Sequence, residues 1–409
     1  MNFIQDLQAR GLVAQSSSDI EKVLGTKRTV YLGVDPSADS MHAGNLLVVL
    51  MMKRLAQAGH SIVLLVGGGT GMIGDPREVG ERPLADVKTV ALNKKALKAQ
   101  IQGIVGSRVR VVDNADWLLK VKLVEFLRDI GKHFTINDLI KRDIIKRRLD
   151  DPNESISYTE FAYALLQGYD YLVLNQKYKV DLQIGATDQW TNILSGVDLI
   201  RKKLGKEAFA IVTPLVTEPN GKKFGKSEGN AVWLDPKKTS PYQFYQFWFK
   251  QGDTNVEQYL NFFTFMPVPE IQALMHMHQA HPERRIAQQK LAEEVTTLVH
   301  GKIEMEHARK ITDVQFGGAS VDTLTPTELK VFEVSVVQYQ LTADDTIVSA
   351  LVNGSLVSSK GEARRLMDGK GIKLNGEVVS ADRAFTDTDF DNGVAQLQKG
   401  KSDKLRVLR

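Results

Sequence analysis

The stretch YLGVDPSADSMHAGN, from Tyr31 to Asn45, indicates the fold of the first half of the chain. Its apolar, β-rich beginning predicts a strand that ends near Asp35, and a helix is expected to start where His42 and Asn45 stand three residues apart. Residues at that spacing share a helix face, and a helix N-terminus attracts anions. Gly44 would let a flat group such as a nucleobase approach the backbone. The stretch therefore predicts a nucleotide site, and the competing interpretation is an ordinary polar helix start.

Strand-like and helix-like segments alternate on both sides of this stretch. The strand-like segments are residues 29–35, 61–67, 108–114, 181–185 and 209–215, and the helix-like segments are residues 44–58, 86–106 and 188–204. Strands that alternate with helices predict a parallel sheet covered on both faces. We therefore expect an α/β fold with a Rossmann-like, doubly wound parallel sheet.

The second half of the chain has a different pattern. Residues 241–250 are aromatic and apolar, and residues 269–301 form a long helical stretch, so an all-helical domain is expected there. Residues 312–345 have little pattern and predict loops. The expected parts are a Rossmann-like catalytic domain at 1–217, a loop and helical domain at 218–325, a linker at 326–344, and a small α+β domain at 345–409.

The last part predicts a helix followed by a hairpin. Ser358 or Ser359 is expected to cap a helix that runs to Leu366, because serine is a preferred N-cap residue. Asn375 and Gly376 stand between two β-type runs, which is the strongest short-range signal for a hairpin. The segment is therefore expected to fold as a compact module.

The composition excludes several classes of protein. The 409 residues contain no cysteine, which rules out disulfides, thiol catalysis and thiolate metal sites. No run approaches the ~20 apolar residues of a membrane span, and the first residues lack the pattern of a secretory signal. His276, His278 and His281 have no second ligand group beside them, so a solvated face is expected rather than zinc or another metal. The composition predicts a cytoplasmic protein without membrane contact.

The positive charge is concentrated near the end of the chain. The whole chain has a net charge of +4, and residues 353–409 hold eleven Lys or Arg against eight Asp or Glu, a net of +3. A basic tail is usually a solvated surface, but it is also typical of nucleic-acid binding.

A second signal is GKKFGKSEGN, residues 221–230. Lys223 and Lys226 flank a Phe-Gly pair in a polar context, and lysine is a mobile point charge suited to phosphates. The glycines lack the spacing of a P-loop. Alone, the segment is more typical of a basic surface turn than of a phosphate site.

The two signals occur together in an order that resembles the class I aminoacyl-tRNA synthetases, whose signatures these are. More narrowly, the chain resembles the bacterial tyrosyl-tRNA synthetases over essentially its whole length, and its tail resembles an S4 RNA-binding domain. The supporting stretches are YLGVDPSADSMHAGN, LVGGGTGMIGDP (65–76), SYTEFAYALLQGYDYL (157–172), LQIGATDQWTNI (182–193) and KFGKS (223–227).

The resemblance implies an amino-acid pocket. Tyr31 and Asp170 match residues that hydrogen-bond the substrate phenol, and Tyr163 and Gln167 match residues that hold its ammonium group. The spacing of Tyr163, Gln167 and Asp170 places them on one helix face. Further residues implied in the same pocket are Gln183, Gln189 and Asp75.

The resemblance also implies a site for ATP, which is a substrate that brings Mg²⁺ with it. The implied ATP contacts are Asp35, Gly44, Asp188 and Lys226, and the implied catalytic donors to the phosphates are His42, Asn45, Lys223 and Lys226. Two features depart from the family pattern. Asn45 stands where a second histidine is commoner, and the loop after Asp75 reads PREVGER, with Arg77 and Arg82 but no lysine.

The implied partners are tRNA(Tyr), L-tyrosine and a second copy of the chain, with residues 134–145 at the interface of a homodimer. In the tail, Lys360 and Arg364 are expected on one helix face with Arg365 beside them, as an RNA contact. The basic clusters at 141–148 and 201–203 are expected to be solvated faces or contacts to the acceptor stem.

The implied activity is the joining of tyrosine to tRNA(Tyr) through a tyrosyl adenylate. A tryptophanyl-tRNA synthetase is one alternative, although it would have no reason for the Tyr31 and Asp170 pair. A catalytically inactive, synthetase-derived RNA-binding protein is another, and intact HxGN and KFGKS motifs argue against it. A small-molecule nucleotidylyltransferase would share the first motif and explain neither the pocket nor the tail.

Overall fold

The structure is a computed structural model with side chains. It describes residues 1–76, 86–140, 142–217, 224–227, 230–316, 319–335, 337–391, 393–400 and 403–409. The chain forms two compact units, Met1–Lys302 and Ile303–Arg409. Within the described ranges, no helix combines the length and the apolar character that a membrane span needs.

The first unit is built on a six-stranded sheet. Its strands are β1 (Gln15–Ser16), β2 (Thr29–Val34), β3 (Ser61–Val66), β4 (Arg110–Asp113), β5 (Leu182–Ala186) and β6 (Phe209–Thr213). They lie in the order β1-β6-β5-β2-β3-β4, and all neighbours are parallel except β1 and β6. The chain moves outward from β2 through β3 to β4 and then returns to β5 on the other side of β2. This reversal makes the sheet doubly wound, so the predicted fold class is confirmed.

Helices cover this sheet and continue into an all-helical part. Those around the sheet are α1 (Phe3–Ala9), α2 (Ile20–Leu24), α3 (Ala43–Gln57), α4 (Val87–Val105), α5 (Ala115–Leu118), α6 (Leu123–Asp129), α7 (Ile136–Leu139), α8 (Asp143–Asp150), α9 (Tyr158–Tyr178) and α10 (Trp190–Leu204). The others are α11 (Pro241–Phe249), α12 (Asp253–Phe263), α13 (Val268–Ala280) and α14 (Ile286–His300). Between α10 and α11 lies a short hairpin of β7 (Lys226–Ser227) and β8 (Asn230–Ala231).

Local sequence explains where the principal helices begin. Ser157 caps α9, and its hydroxyl accepts the backbone N–H of Glu160, whose side chain in turn accepts the N–H of Ser157. This reciprocal pair is a capping box. The helix expected from residue 188 begins at Trp190, because residues 187–189 form a 3₁₀ turn first.

The helical part has an aromatic core. The rings of Trp248, Tyr259 and Phe263 are fully buried and pack against one another.

The prediction of a solvated face around His278 is wrong, since its side chain is 2% exposed and its Nε2 lies 3.0 Å from the Asp253 carboxylate. The helical periodicity of α13 directs this residue inward, and α12 supplies a polar partner for it.

The second unit has two outer helices, α15 (Lys302–Phe316) and α16 (Pro326–Ser335), and a small mixed sheet. Its remaining elements are β9 (Val337–Gln340), α17 (Ile347–Asn353), α18 (Lys360–Asp368), β10 (Ile372–Leu374), β11 (Glu377–Val378), β12 (Val394–Lys399) and β13 (Asp403–Leu408). The sheet order is β11-β10-β12-β13-β9. Apolar residues of α17, α18 and the sheet form a separate core.

The predicted helix and hairpin of this unit are confirmed. Ser359 caps α18, and Asn375 and Gly376, with φ values of 51° and 90°, join β10 to β11 as the expected hairpin. Residues 326–344, predicted to be a linker, contain α16 and β9. Strand β9 pairs in parallel with β13 at the end of the chain, and no local pattern reveals a partner so far away. The four predicted parts remain a proposal.

Candidate active site

The carboxyl ends of the central strands surround a cavity of about 310 Å³. It lies where β2 and β5 meet, the position at which the order of strands reverses and ligands of open α/β sheets bind. Most residues predicted for the site come together here. Those that line the cavity are Tyr31, Asp35, Gly44, Asn45, Asp75, Tyr163, Gln167, Asp170, Gln183, Asp188 and Gln189.

One end of the cavity is formed by Tyr31 and Asp170, which are 1% and 2% exposed. Asp170 accepts hydrogen bonds from Asn114 Nδ2 at 2.9 Å and from Trp117 Nε1 at 2.7 Å. Both carboxylate oxygens are therefore held in place. The ring of Tyr31 packs edge-on against Tyr171, with 5.0 Å between the ring centroids. Among the described residues, its hydroxyl has no hydrogen-bond partner.

Burial controls the protonation of this pair. It raises the pKa of Asp170 from 3.8 to about 8, although the N–H groups of Asn114 and Trp117 act in the opposite direction. Burial also raises the pKa of Tyr31 well above 10, so its hydroxyl keeps its proton. The pair thus offers one hydroxyl and one carboxyl group to a ligand that carries a hydroxyl of its own.

A chain of hydrogen bonds connects this end of the cavity with Asp35. Asn114 Nδ2 also donates to Thr70 Oγ1 at 2.8 Å, and Thr70 Oγ1 donates to Asp35 Oδ1 at 2.7 Å. The hydroxyl of Tyr163 donates to Asp35 Oδ2 at 2.8 Å. Gly67 makes the arrangement possible, because a Cβ atom there would lie 2.0 Å from Asp35 Oδ1. The glycine-rich stretch is therefore required by close side-chain packing.

A second polar cluster surrounds Asp75. Its carboxylate accepts from Gln189 Nε2 at 2.8 Å and from Asn192 Nδ2 at 3.2 Å. Desolvation raises the pKa of Asp75, and the positive charge of the nearby Arg142 lowers it. The guanidinium of Arg142 is itself buried, and its Nη2 has no partner among the described residues.

His42 and Asn45 are held by the start of α3. His42 is the N-cap, and its Nδ1 accepts the N–H of Gly44 at 3.1 Å, while Asn45 Oδ1 accepts the N–H of His42 at 3.3 Å. A neutral imidazole that accepts at Nδ1 carries its hydrogen at Nε2. The amide of Asn45 likewise keeps its NH₂ group as a donor. Asparagine can therefore serve where the family more often has histidine.

Gly44 brings the two signature motifs into contact. A Cβ atom on Gly44 would lie 2.7 Å from the carbonyl oxygen of Phe224, and one on Gly225 would lie 3.0 Å from the N atom of Gly44. The ring of Phe224 is buried among Trp248, Tyr259 and Phe263 of the helical part. The close approach to the Gly44 backbone that we predicted for a nucleobase is therefore made, on one side of the residue, by the carbonyl group of Phe224. Gly44 also lines the cavity.

The charge of the cavity is uneven. Four aspartates line it, whereas no Lys or Arg does within the described part of the chain. Lys223, Arg77 and Arg82 lie outside the described residues, and for Lys226 the structure describes only the backbone. The described surface therefore suits an ammonium group and ribose hydroxyls. No cluster of three or more potential metal ligands occurs among the described residues.

Comparison with known proteins assigns the chain to a family. The model of the family described as tRNA synthetases class I (W and Y) matches residues 25–316. The chain belongs to this family of class I tRNA synthetases. The tyrosine–tRNA ligase 1 of Vibrio parahaemolyticus is 44% identical over 414 residues, which cover 100% of this chain and 99% of the relative. That of Pseudoalteromonas translucida is 41% identical over 416 residues, with the same coverage.

A solved structure of the same class agrees. A C-terminally truncated mitochondrial tyrosyl-tRNA synthetase of Aspergillus nidulans superimposes with a TM-score of 0.68 at 29% identity. The match covers 77% of this chain and 94% of that one. The family match therefore includes all the residues that line the cavity.

Several residues of this synthetase site were not predicted from the sequence. Thr70, Asn114 and Asn192 are polar residues at or just beyond the carboxyl ends of strands or at a helix start, which is a detectable signal. Trp117 and Arg142 gave no such signal. Their roles depend on α5 and α8, whose packing against α9 is a tertiary feature.

The basic cluster at 141–148 is only partly a solvated face. In the cluster at 141–148, Arg148 is 2% exposed, and its Nη1 lies 2.9 Å from Oε1 of the buried Glu160. With Arg142 also buried, part of this cluster stabilises the fold, while Lys146 and Arg147 are exposed. In the second unit, α18 exposes the three residues predicted to contact RNA, which are Lys360, Arg364 and Arg365.

The contact at Gly44 can be tested by Gly44→Ala. We expect a loss of about 1–3 kcal/mol in unfolding free energy, because the new methyl group would press on the Phe224 carbonyl, and buried Phe224 cannot move away. Urea unfolding measures the effect. The control is Gly103→Ala in α4, where nothing lies within 4 Å and the helix should gain about 0.5–1 kcal/mol. Equal stability of Gly44→Ala and the native chain would contradict the packing argument.

The support of Asp170 can be tested by Trp117→Phe. Because the pKa of Asp170 is raised to about 8, its stabilising contribution is largest in acid and is lost as the pH rises through 8. Loss of the indole donor raises this pKa further, so the variant should be destabilised little at pH 6 and by about 1 kcal/mol more at pH 9, where the native carboxyl is ionised. The pH dependence should vanish when Trp117→Phe is made in an Asp170→Asn background. If Trp117→Phe lowers the unfolding free energy by the same amount at every pH in both backgrounds, Trp117 does not act as a donor to Asp170.

Proposed function

We propose that this chain is a tyrosine–tRNA ligase, which joins L-tyrosine to ATP as tyrosyl adenylate, releases pyrophosphate, and passes tyrosine to the 3′ end of tRNA(Tyr). The observation that carries the proposal is the buried pair of Tyr31 and Asp170. A buried hydroxyl without a partner is costly, and a substrate phenol would satisfy it. The relatives named tyrosine–tRNA ligase support the same conclusion.

The pair also accounts for selection among aromatic amino acids. Phenylalanine would leave the hydroxyl of Tyr31 without a partner in a dry site and would offer no hydroxyl to the carboxyl of Asp170, which is unfavourable for binding. Tryptophan could offer only an indole N–H, and its ring system is larger than that of tyrosine. The pocket therefore favours a phenol.

At the other end of the substrate, carboxylates favour its ammonium group. Tyr163, Gln167 and Asp75 line the cavity beyond the phenol end, and we assign them to the ammonium of tyrosine together with Gln189. This orientation leaves the substrate carboxylate facing the start of α3. A carboxylate is already ionised at neutral pH, so it can attack the α-phosphorus of ATP without a general base.

The first step then depends on positioning and on charge stabilisation. We assign His42 and Asn45 as hydrogen-bond donors to the phosphates, with their orientation fixed by the cap of α3. Lys223 and Lys226 would supply the positive charge that the described cavity surface lacks. Asp35 and Asp188 are assigned to the ATP ribose and its surroundings. Mg²⁺ would arrive with ATP, since it commonly binds phosphates with few protein ligands.

The second step needs tRNA, and the second unit supplies a basic helix for it. Lys360 and Arg364 are one turn apart on α18, and Arg365 lies beside them. Exposed cations at this spacing suit a phosphate backbone. We propose that residues 345–409, with β9, form the S4-like RNA-binding module.

We propose a homodimer because the first unit exposes large apolar side chains in one part of its sequence. Leu123, Val124 and Ile136 are 71%, 75% and 61% exposed, and they lie on α6 and α7 beside the expected interface at 134–145. Exposed apolar groups of this kind are typical of interfaces.

We place the enzyme in the cytoplasm, where tRNA is charged and where a chain without cysteine fits well.

The phenol-reading role can be tested by ATP–pyrophosphate exchange with Tyr31→Phe. Tyrosine should be the amino acid that supports exchange by the native chain at low concentration. Loss of one neutral hydrogen bond, about 0.5–1.5 kcal/mol, should lower the preference for tyrosine over phenylalanine roughly 2- to 13-fold. The control Tyr158→Phe removes an exposed hydroxyl and should change nothing. Exchange by the native chain with phenylalanine as efficient as with tyrosine would refute the proposal.

The RNA role can be tested by Lys360→Ala combined with Arg364→Ala. Exchange should stay at the native rate, whereas kcat/KM for tRNA charging should fall, and the slope of log affinity against log salt should decrease by about 2. A matched control, Lys95→Ala with Lys98→Ala, removes two exposed lysines from α4 in the first unit. Normal charging by the α18 variant would show that this helix does not contact tRNA.

A further inference from the structure

A second cavity lies at the opposite end of the strands that carry the active site. It has a volume of about 780 Å³, and we call it the strand-start pocket. The first residues of β2, β3 and β4 line it, and these are Thr29, Ser61 and Arg110. From the same three strands, the active-site cavity is lined by residues at or just after the last residues, such as Val34, Gly67 and Asn114. The two cavities are thus separated by the length of the sheet.

The lining of the strand-start pocket contains no acidic residue. Arg108 and Arg110 are exposed, stand two residues apart, and have no acidic partner among the described residues. The guanidinium of Arg110 lies over the ring of Tyr178, 5.5 Å from its centroid. Ile62 and Val109 give the pocket an apolar wall. The pocket therefore combines two unpaired guanidinium groups with a surface for a carbon skeleton.

Helix dipoles give a competing reason for cations at this place. The helices α3, α4 and α9 end at the pocket, and each C-terminus is equivalent to roughly −0.5 charge, about −1.5 in total. Two lysines already bind the terminal carbonyl groups, since Lys27 Nζ donates to the oxygen of Ala58 and Lys53 Nζ donates to that of Ile104. Their two charges exceed the total of the dipoles. The ends of α3 and α4 therefore do not require Arg108 or Arg110.

The histidine of the pocket adds a donor without adding charge. His60 is buried, and its Nδ1 accepts the N–H of Arg28 at 3.1 Å, which places the ring hydrogen at Nε2. Burial lowers its pKa, so the ring is neutral at pH 7. The hydroxyls of Ser61 and Ser107 are further polar groups of the lining.

We propose that the strand-start pocket binds a small organic phosphate monoester. Arg108 and Arg110 would hold the phosphate, because the planar guanidinium matches phosphate oxygens with paired hydrogen bonds. The wall of Ile62, Val109 and Tyr178 would contact the organic part. The volume falls within the ~300–1,000 Å³ of ordinary ligand sites. The site lies apart from the tyrosine and ATP cavity, so the proposal stands independently of the proposed function.

The probe is ribose 5-phosphate, titrated calorimetrically into the full chain, with inorganic phosphate in a parallel series. We expect one ribose 5-phosphate per chain in the strand-start pocket. Arg108→Ala combined with Arg110→Ala should weaken the binding of ribose 5-phosphate at least tenfold. This is the smallest effect expected, since the loss of one charge-assisted hydrogen bond costs ~1.5 kcal/mol. The affinity of the double Arg→Lys variant should lie between those of the native chain and the double alanine variant, because lysine keeps the charge and loses the paired hydrogen bonds. Tyr178→Leu should weaken binding several-fold.

Controls separate this site from general anion binding. Arg128→Ala removes an exposed arginine that is paired with Asp129, and it should leave the titration unchanged. The Arg108 and Arg110 side chains are exposed, so their variants should keep the native melting temperature and exchange rate. Equal binding by the native chain and the double alanine variant would overturn the proposal. Inorganic phosphate binding as tightly as ribose 5-phosphate would overturn the role of the apolar wall and hence the ligand class.

Discussion

The carbonyl oxygen of Phe224 lies 2.7 Å from the position that a Cβ atom on Gly44 would occupy, and this contact joins the two halves of the first unit. The sheet and the helical part meet there with backbone against backbone. Neighbouring hydrogen bonds continue the junction, from Ala43 N to the oxygen of Val232 and from Leu234 N to that of Met41. A side chain at position 44 would separate the start of α3 from the loop that follows β6. The glycine therefore determines where the two signature motifs stand.

Phe224 transmits this constraint into the helical part. Its ring is surrounded by Trp248, Tyr259 and Phe263, which form the aromatic core there. Because interiors are close-packed, a ring in such a site has one position, and the residue that follows it is placed as well. Gly225 adopts a φ of 73°, which turns the chain toward Lys226 beside the start of α3. The second signature motif thus contains a tightly packed residue.

Inside the cavity, three aspartates stand among apolar side chains, and of the three only Asp170 is fully buried. Asp35, Asp75 and Asp170 each accept at least two hydrogen bonds from side chains. Desolvation raises the pKa of Asp75 and Asp170, because burial disfavours the charged carboxylate. The hydrogen bonds that these groups accept oppose the rise and fix the orientation of both carboxyl groups.

Local sequence determined the elements of this protein. Signals that act over a few residues can be recognised in the sequence. They include the apolar runs at β2 and β3, the capping serines of α9 and α18, and the Asn375-Gly376 turn. The motif resemblance also predicted which residues gather at the strand ends. Tertiary structure alone decided the pairing of β9 with β13, the burial of Arg148, and the use of Trp117 as a donor to Asp170. Each of these joins residues that are distant in sequence or sets a side chain's environment, and only the packed fold brings such groups together.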